Sequence, residues 1–308
     1  LGGLARIISV FDFMSDELRA DAMLDLPVLD HTAAVQAFFD SLSNKAYPKA
    51  ELVGNLRITS KLNLTASKTL TINSNAKIIS AFSAEDEVFQ LLDSPFIHFV
   101  GRLQVVCGGG AAYEDRTNGI GVRINNSYRC RIDELHVQYA KYDGVQIVNG
   151  TDAGGGNSNL WSIGKLKCDS CGSGKAGTAS GIRRPITSIS STGSANSFAQ
   201  RAVIGVTALP AGIRVDDLVK VGNSLSAVTA INYISNTVTV FPWLESGSSA
   251  TPSGDVDFYL GAALYTRGGD SSEGVIEQFD AVNCGVAYNA LSLYPAFIGS
   301  AVLQFCSV

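Results

Sequence analysis

The sequence predicts an all-β fold: a solenoid of short parallel strands with a small antiparallel β-domain inserted into it. Three observations carry this expectation. Four stretches align on their apolar residues: Val100-Gly-Arg-Leu103-Gln-Val105, Ile132-Asp-Glu-Leu135-His-Val137, Ile163-Gly-Lys-Leu166-Lys-Cys168 and Ile276-Glu-Gln-Phe279-Asp-Ala281. A fifth, Val302-Leu-Gln-Phe305-Cys-Ser307, fits at its first two apolar places. The anchors stand at 100, 132, 163, 276 and 302, spaced by 32, 31, 113 and 26 residues, and a unit of 20 to 30-odd residues built of strands and turns is the signature of stacked coils. Finally, only 17% of residues are charged, and clusters of Asn, Ser, Thr and Gly punctuate short Val/Ile/Leu runs, as turns punctuate strands.

Taken in chain order, residues 1–50 read as an N-terminal cap. Within it, residues 30–43 carry apolar Val35, Phe38, Phe39 and Leu42 at helical spacing, with Asp30 or Thr32 to cap the start. A helix laid over the first coil would cover its open edge. Strands follow at residues 51–58 and 67–74, opening a first solenoid part over 51–181. Six residues before four of the anchors stand Ser94, Asn126, Asn157 and Asp270, short polar residues suited to turns. The gap of 113 residues exceeds one coil by about 80, which places an inserted β-domain at 182–262. There Asp217–Val221, Leu225–Ile231 and Thr237–Leu244 alternate as antiparallel strands do. The solenoid resumes over 263–308. The chain lacks an initial Met and ends inside a strand-like run, so a longer parent protein is expected.

Several classes are excluded. The net charge of −5 and the absence of a basic patch argue against nucleic acid as a partner. No run of 18 apolar residues is present, so membrane insertion by a helix is not expected. Three His residues are too few for a His-rich metal site, and no metal or cofactor is expected. Cys168 and Cys171 form a C-x-x-C, but the repeat puts Cys168 in a column with Val105, Val137 and Ala281, and Cys171 with Ala140 and Cys284. Both read as small apolar rungs of the core.

The opening Ile8-Ser-Val-Phe-Asp-Phe13, the stretch Asp30-His-Thr-Ala-Ala-Val-Gln-Ala37 and then Leu56-Arg-Ile-Thr-Ser-Lys-Leu62 resemble the start of the pectate-lyase-like β-helices of bacteriophage tailspikes. In that family V-x-D-F-G-A leads to D-D-T-x-A-I-Q-x-A. Here Met14-Ser-Asp-Glu-Leu-Arg19 replaces the usual glycine-rich link, and His31 replaces the second Asp. The resemblance implies a right-handed, single-stranded parallel β-helix, a homotrimer on a phage tail beside other tail proteins. It implies action at the bacterial surface, cleaving capsular polysaccharide or lipopolysaccharide. No catalytic motif of the family is present to be carried over.

Glycoside hydrolysis needs two carboxylates, one protonated and one ionised. Strand alternation sends His136, Gln138, Lys167, Asp169 and Asp280 to one outward face, with Asp169 and Asp280 on adjacent coils. That pair is the first catalytic candidate, and His136, Gln138 and Lys167 are candidate substrate contacts. Asp270 and Glu273, in the loop where the solenoid resumes, are the second, with Arg267 beside them as a substrate contact. Trp243 is a candidate for stacking on a sugar. Each has a plainer reading as a solvated face, a turn or a shielding domain. A lyase using a Lys, His or Tyr base, and a non-catalytic receptor-binding fibre, stay open as alternatives.

Overall fold

The computed structural model describes residues 7–43, 49–149, 158–174, 181–192, 200–222, 224–243, 254–268, 273–292 and 296–306. The chain is all-β in its main body, with two large parallel sheets and one closed antiparallel barrel. From Lys49 onward it alternates between the two parallel sheets, adding a strand to each in turn. The first sheet holds eight strands: Ile8–Ser9, Lys49–Ile58, Leu70–Ser80, Ile97–Val106, Arg131–Gln138, Ser162–Asp169, Val275–Val282 and Phe297–Gln304. The second holds six: Leu62–Leu64, Ala84–Leu92, Asn118–Asn125, Val145–Val148, Leu264–Gly268 and Tyr288–Ser292.

The repeat read from sequence is the register of the first sheet. Ile132, Ile163 and Ile276 are direct neighbours, as are Leu135, Leu166 and Phe279, and Val137, Cys168 and Ala281. The large gap is bridged without a break, because Ser162–Asp169 pairs with Val275–Val282 and Val145–Val148 with Leu264–Gly268. Two anchors need correcting. Phe99, not Val100, faces Ile132, because an irregularity at Val100 and Gly101 (φ +93°) absorbs one residue. Ile298, not Val302, faces Ile276, with Ala301 and Leu303 at the following inward places. Val302 instead stands in register with Asp280, in an outward row.

The inward columns are buried from Leu52 to Phe279, and Cys168 and Cys171 are fully buried free thiols within them. Their desolvation and the tight fit around Gly144 support the packing reading of the C-x-x-C. A Cβ at Gly144 would stand 2.9 Å from the Cys168 sulfur and 2.7 Å from the Ala263 carbonyl oxygen, so only glycine fits there.

Helix α1 (Asp16–Ala22) and helix α2 (Thr32–Leu42) precede the long strands of the two parallel sheets. Val35, Phe38, Phe39 and Leu42 of α2 are buried, and the Phe39 ring stacks on Phe89 of the second sheet at 5.5 Å. The Asp30 carboxylate accepts from the Thr32 amide (3.0 Å) and the Thr59 hydroxyl (2.6 Å), tying the helix start to the coil. His31 is fully buried and its Nε2–H donates to the Leu18 carbonyl at 3.1 Å.

One corner of the coils is held by a ladder of buried serines. The amide of Ser94 donates to the Ser127 hydroxyl (2.9 Å) and the amide of Ser127 to the Ser158 hydroxyl (3.2 Å). The turn column is therefore Ser94, Ser127 and Ser158, one residue on from Asn126; Asn157 lies outside the described residues. Ser127→Ala should cost about 1–3 kcal/mol, since it strands a buried amide of the preceding coil. Urea unfolding of the variant measures this, and a loss below about 0.5 kcal/mol, within the range of a surface change, would refute it.

The barrel closes in the order Ile182–Thr192, Arg201–Val206, Thr237–Phe241, Ser224–Asn232, Leu218–Val221 and Asp255–Tyr259. Inward residues alternate along its strands, as in Ala202, Ile204 and Val206 or Val256 and Phe258, giving it a core of its own. Trp243 is 2% exposed in that core. Trp243 is therefore corrected from a sugar-stacking candidate to a barrel filler, because its indole is needed to complete a small apolar interior.

Candidate functional site

The outward face of the first sheet places Lys167 beside His136 on one side and Asp280 on the other, and Asp169 beside Gln138. Asp169 and Asp280 are on adjacent strands, two residues out of step. Both are half-buried and engaged locally: Ser170 Oγ donates to Asp169 at 2.8 Å, and Gln278 Nε2 to Asp280 at 3.1 Å. Gln104 Nε2 donates to Gln138 at 2.8 Å. His136 is 7% exposed, and burial with Lys167 and Arg102 nearby lowers its pKa to about 4, so it is neutral at neutral pH. Glu273 is exposed at a corner with φ +58°. Asp270 lies outside the described residues.

A second constellation forms where the barrel meets the second parallel sheet. A cavity of about 270 Å³ is lined there by Asp143, Gln146, Arg214, Asp216, Asp217 and Tyr265, among others. Asp143 ends the corner before the Val145–Val148 strand, while Arg214, Asp216 and Asp217 come from the barrel just before Leu218–Val221. Asp143 is fully buried. It accepts from the Ala262 amide (3.0 Å) and Gln146 Nε2 (3.2 Å) and pairs with Arg214 Nη1 at 3.3 Å. Asp217 accepts from the amides of Gly261 (2.9 Å) and Arg214 (2.7 Å). Burial pushes its pKa up to about 6 even with Arg214 beside it. For Arg214, burial disfavours the charge, but Asp143 and Asp217 outweigh that and raise its pKa. Its guanidinium also lies 4.2 Å from the centre of the Tyr142 ring.

Asp216 is the more open carboxylate, its side chain 19% exposed. Its backbone is left-handed at φ +77°, a conformation uncommon outside glycine. The Tyr265 hydroxyl donates to it at 3.2 Å and Arg267 Nη1 stands 3.5 Å away. Burial raises the Tyr265 pKa, so its hydroxyl is a donor across the neutral range. Arg267, the candidate that the sequence set beside Asp270 and Glu273, thus joins this cleft through Asp216.

The cleft is the end of a polar relay over the second sheet. Lys61 Nζ pairs with Glu87 at 3.3 Å, and Glu87 with Arg123 at 3.0 Å. Arg123 Nε donates to Gln146 at 2.7 Å, and Gln146 leads to Asp143 and Arg214. The outward row Asn63, Gln90, Arg123, Gln146, Tyr265 and Asn289 is continuous in register. Among the described residues no group of three or more His, Cys, Asp or Glu could hold a metal ion.

Sequence reasoning missed Arg214, Asp216 and Asp217. Arg214 and Asp143 are 71 residues apart, and only docking of the barrel brings them together. The one local signal was a pair of carboxylates, Asp216-Asp217, in a strand-rich domain where paired acids are unfavourable.

No family model matches the sequence, and no curated protein matches it. Among solved structures the chain is similar to Geobacillus virus E2 ORF18, at 20% identity and a TM-score of 0.34, over 53% of this chain and 36% of that one. The matched part is thus about a third of that protein's length.

Proposed function

We propose that the chain is part of a phage tail depolymerase that binds a bacterial surface polysaccharide and hydrolyses it in the cleft between solenoid and barrel. The coil is read as right-handed, as parallel crossovers nearly always are. In the proposed setting the whole protein is a trimer in the virion, acting at the cell surface. The observation that carries the reading is the pairing in one cavity of Asp217, a buried carboxyl with a pKa of about 6, and the more open Asp216. Divergent acid environments in a concave site are what acid–base hydrolysis requires. Asp217 would supply the proton to the leaving oxygen. Asp216, oriented by Tyr265 and Arg267, would act on the attacking water or the sugar carbon. Asp169 and Asp280 have comparable chemistry on an open face. A lyase would need a base, and the raised pKa of Tyr265 makes it a poor one.

The test is incubation with purified capsular and O-antigen polysaccharides, with products sized and weighed. Oligosaccharides one water heavier than the repeat are expected. Unsaturated, ultraviolet-absorbing products would replace hydrolysis by elimination. Binding without shortening would make the protein a receptor-binding fibre.

A further inference from the structure

A second cavity, of about 420 Å³, lies on the first sheet near its start, with α1 as one wall. That volume is in the range of small-molecule sites. Its floor is a grid of two outward rows on three adjacent strands: Val53, Asn75 and Arg102 in one, Asn55, Lys77 and Gln104 in the next. Strand spacing and two-residue steps make the grid roughly 10 by 7 Å. Phe11 and Met23 border it.

The lining carries two cations and no carboxylate. Arg102 is half-exposed, and its nearest carboxylate, Glu134, stands 3.8 Å away with both side chains in solvent, a weak pair that a ligand can displace. Lys77 forms no ion pair among the described residues. Of the three lining amides, Asn55 Nδ2 donates to the Leu24 carbonyl (2.7 Å) and Gln104 bridges Arg102 (3.3 Å) and Gln138 (2.8 Å), which leaves Asn75 and the Asn55 oxygen to meet hydroxyls, while Phe11, Met23 and Val53 offer apolar surface. A ligand complementary to this has one anionic group, several hydroxyls and an apolar ring face. We infer that this pocket binds a carboxylated sugar, a uronate or sialate unit, with its carboxylate between Lys77 and Arg102. The site lies on the other sheet from the cleft and does not depend on cleavage there. It assigns an acidic repeat to whatever glycan the protein meets.

The test titrates the full chain with the methyl glycosides of galacturonic acid and glucuronic acid and with N-acetylneuraminic acid, with the methyl ester of each as the uncharged control and inorganic phosphate as a generic anion. Ligand-observed NMR at low salt is the readout, since surface charge pairing weakens with salt. At least one acid should bind, its ester about tenfold more weakly or worse, and Lys77→Gln with Arg102→Gln should lose about tenfold. Both side chains are at the surface, and a thermal melt confirms that the double variant folds. No acid binding below about 10 mM, equal binding of acid and ester, phosphate binding as tightly as the best sugar acid, or an unchanged double variant would each overturn the assignment. Binding here without cleavage of any polymer would sink the depolymerase reading and leave this one standing.

Discussion

Asp216→Asn is expected to lower polysaccharide cleavage by a factor of about 10² to 10⁴, the usual contribution of a positioned acid or base. The substitution keeps the size of the side chain and an oxygen for the Tyr265 hydroxyl, so folding should be untouched. Asp217→Asn should show a similar loss. Because Asp217 also holds the Gly261 amide and pairs with Arg214 at 3.5 Å, that variant needs a melt beside the assay. The pH profile gives an independent check. A general acid works protonated, and Asp217 titrates at about 6, so the rate should fall as pH rises through that value. Asp169→Asn and Asp280→Asn should stay within about twofold of the parent, as surface changes away from a site do. Loss of activity in those two with full activity in Asp216→Asn would move the chemistry to the first sheet and overturn the cleft assignment.

The repeat was legible because neighbouring parallel strands of one sheet make the same packing demand at each inward place. Ile132, Ile163 and Ile276 fill the same inward place, so the same residue type recurs there, and the gap between the last two located the extra residues. The outward rows were legible for the same reason, since strand alternation alone assigns a side. Concavity was not. Whether an outward carboxylate lies on an open face, like Asp280, or under a neighbouring domain, like Asp143, depends on how the barrel closes and docks. No local pattern around Asp143-Gly144 encodes that. The corners show the same limit: Tyr139, Ser170, Asn283 and Phe305 all take left-handed backbone at equivalent coil positions, yet only Asn283 is a residue type that signals it.

The relay across the second sheet ends at the barrel's Arg214, its most sensitive member, which pairs with both Asp143 and Asp217. Arg214→Met keeps much of the apolar stem over Tyr142 but removes the cation from two buried carboxylates. Leaving Asp143 fully buried and without its cation should cost about 3–5 kcal/mol at neutral pH. The sign of the pH dependence follows from linkage. In the parent chain Asp217 binds its proton more tightly when folded, so its contribution is complete below its unfolded pKa, near 3.8, and is lost as pH rises through about 6. Without Arg214 the Asp217 carboxyl gains further proton affinity, so the penalty should shrink as pH falls from 7 towards 4. Urea unfolding at both values measures it. Hydrogen exchange locates it, because the Gly261 and Ala262 amides donate to Asp217 and Asp143 and should exchange faster first. Asp143→Asn combined with Arg214→Met should cost less than the sum of the two single changes, since the members of one pair are not independent. A loss under about 1 kcal/mol at neutral pH, within the range of surface pairs, would show the relay to be solvated and the barrel held by its apolar contacts alone.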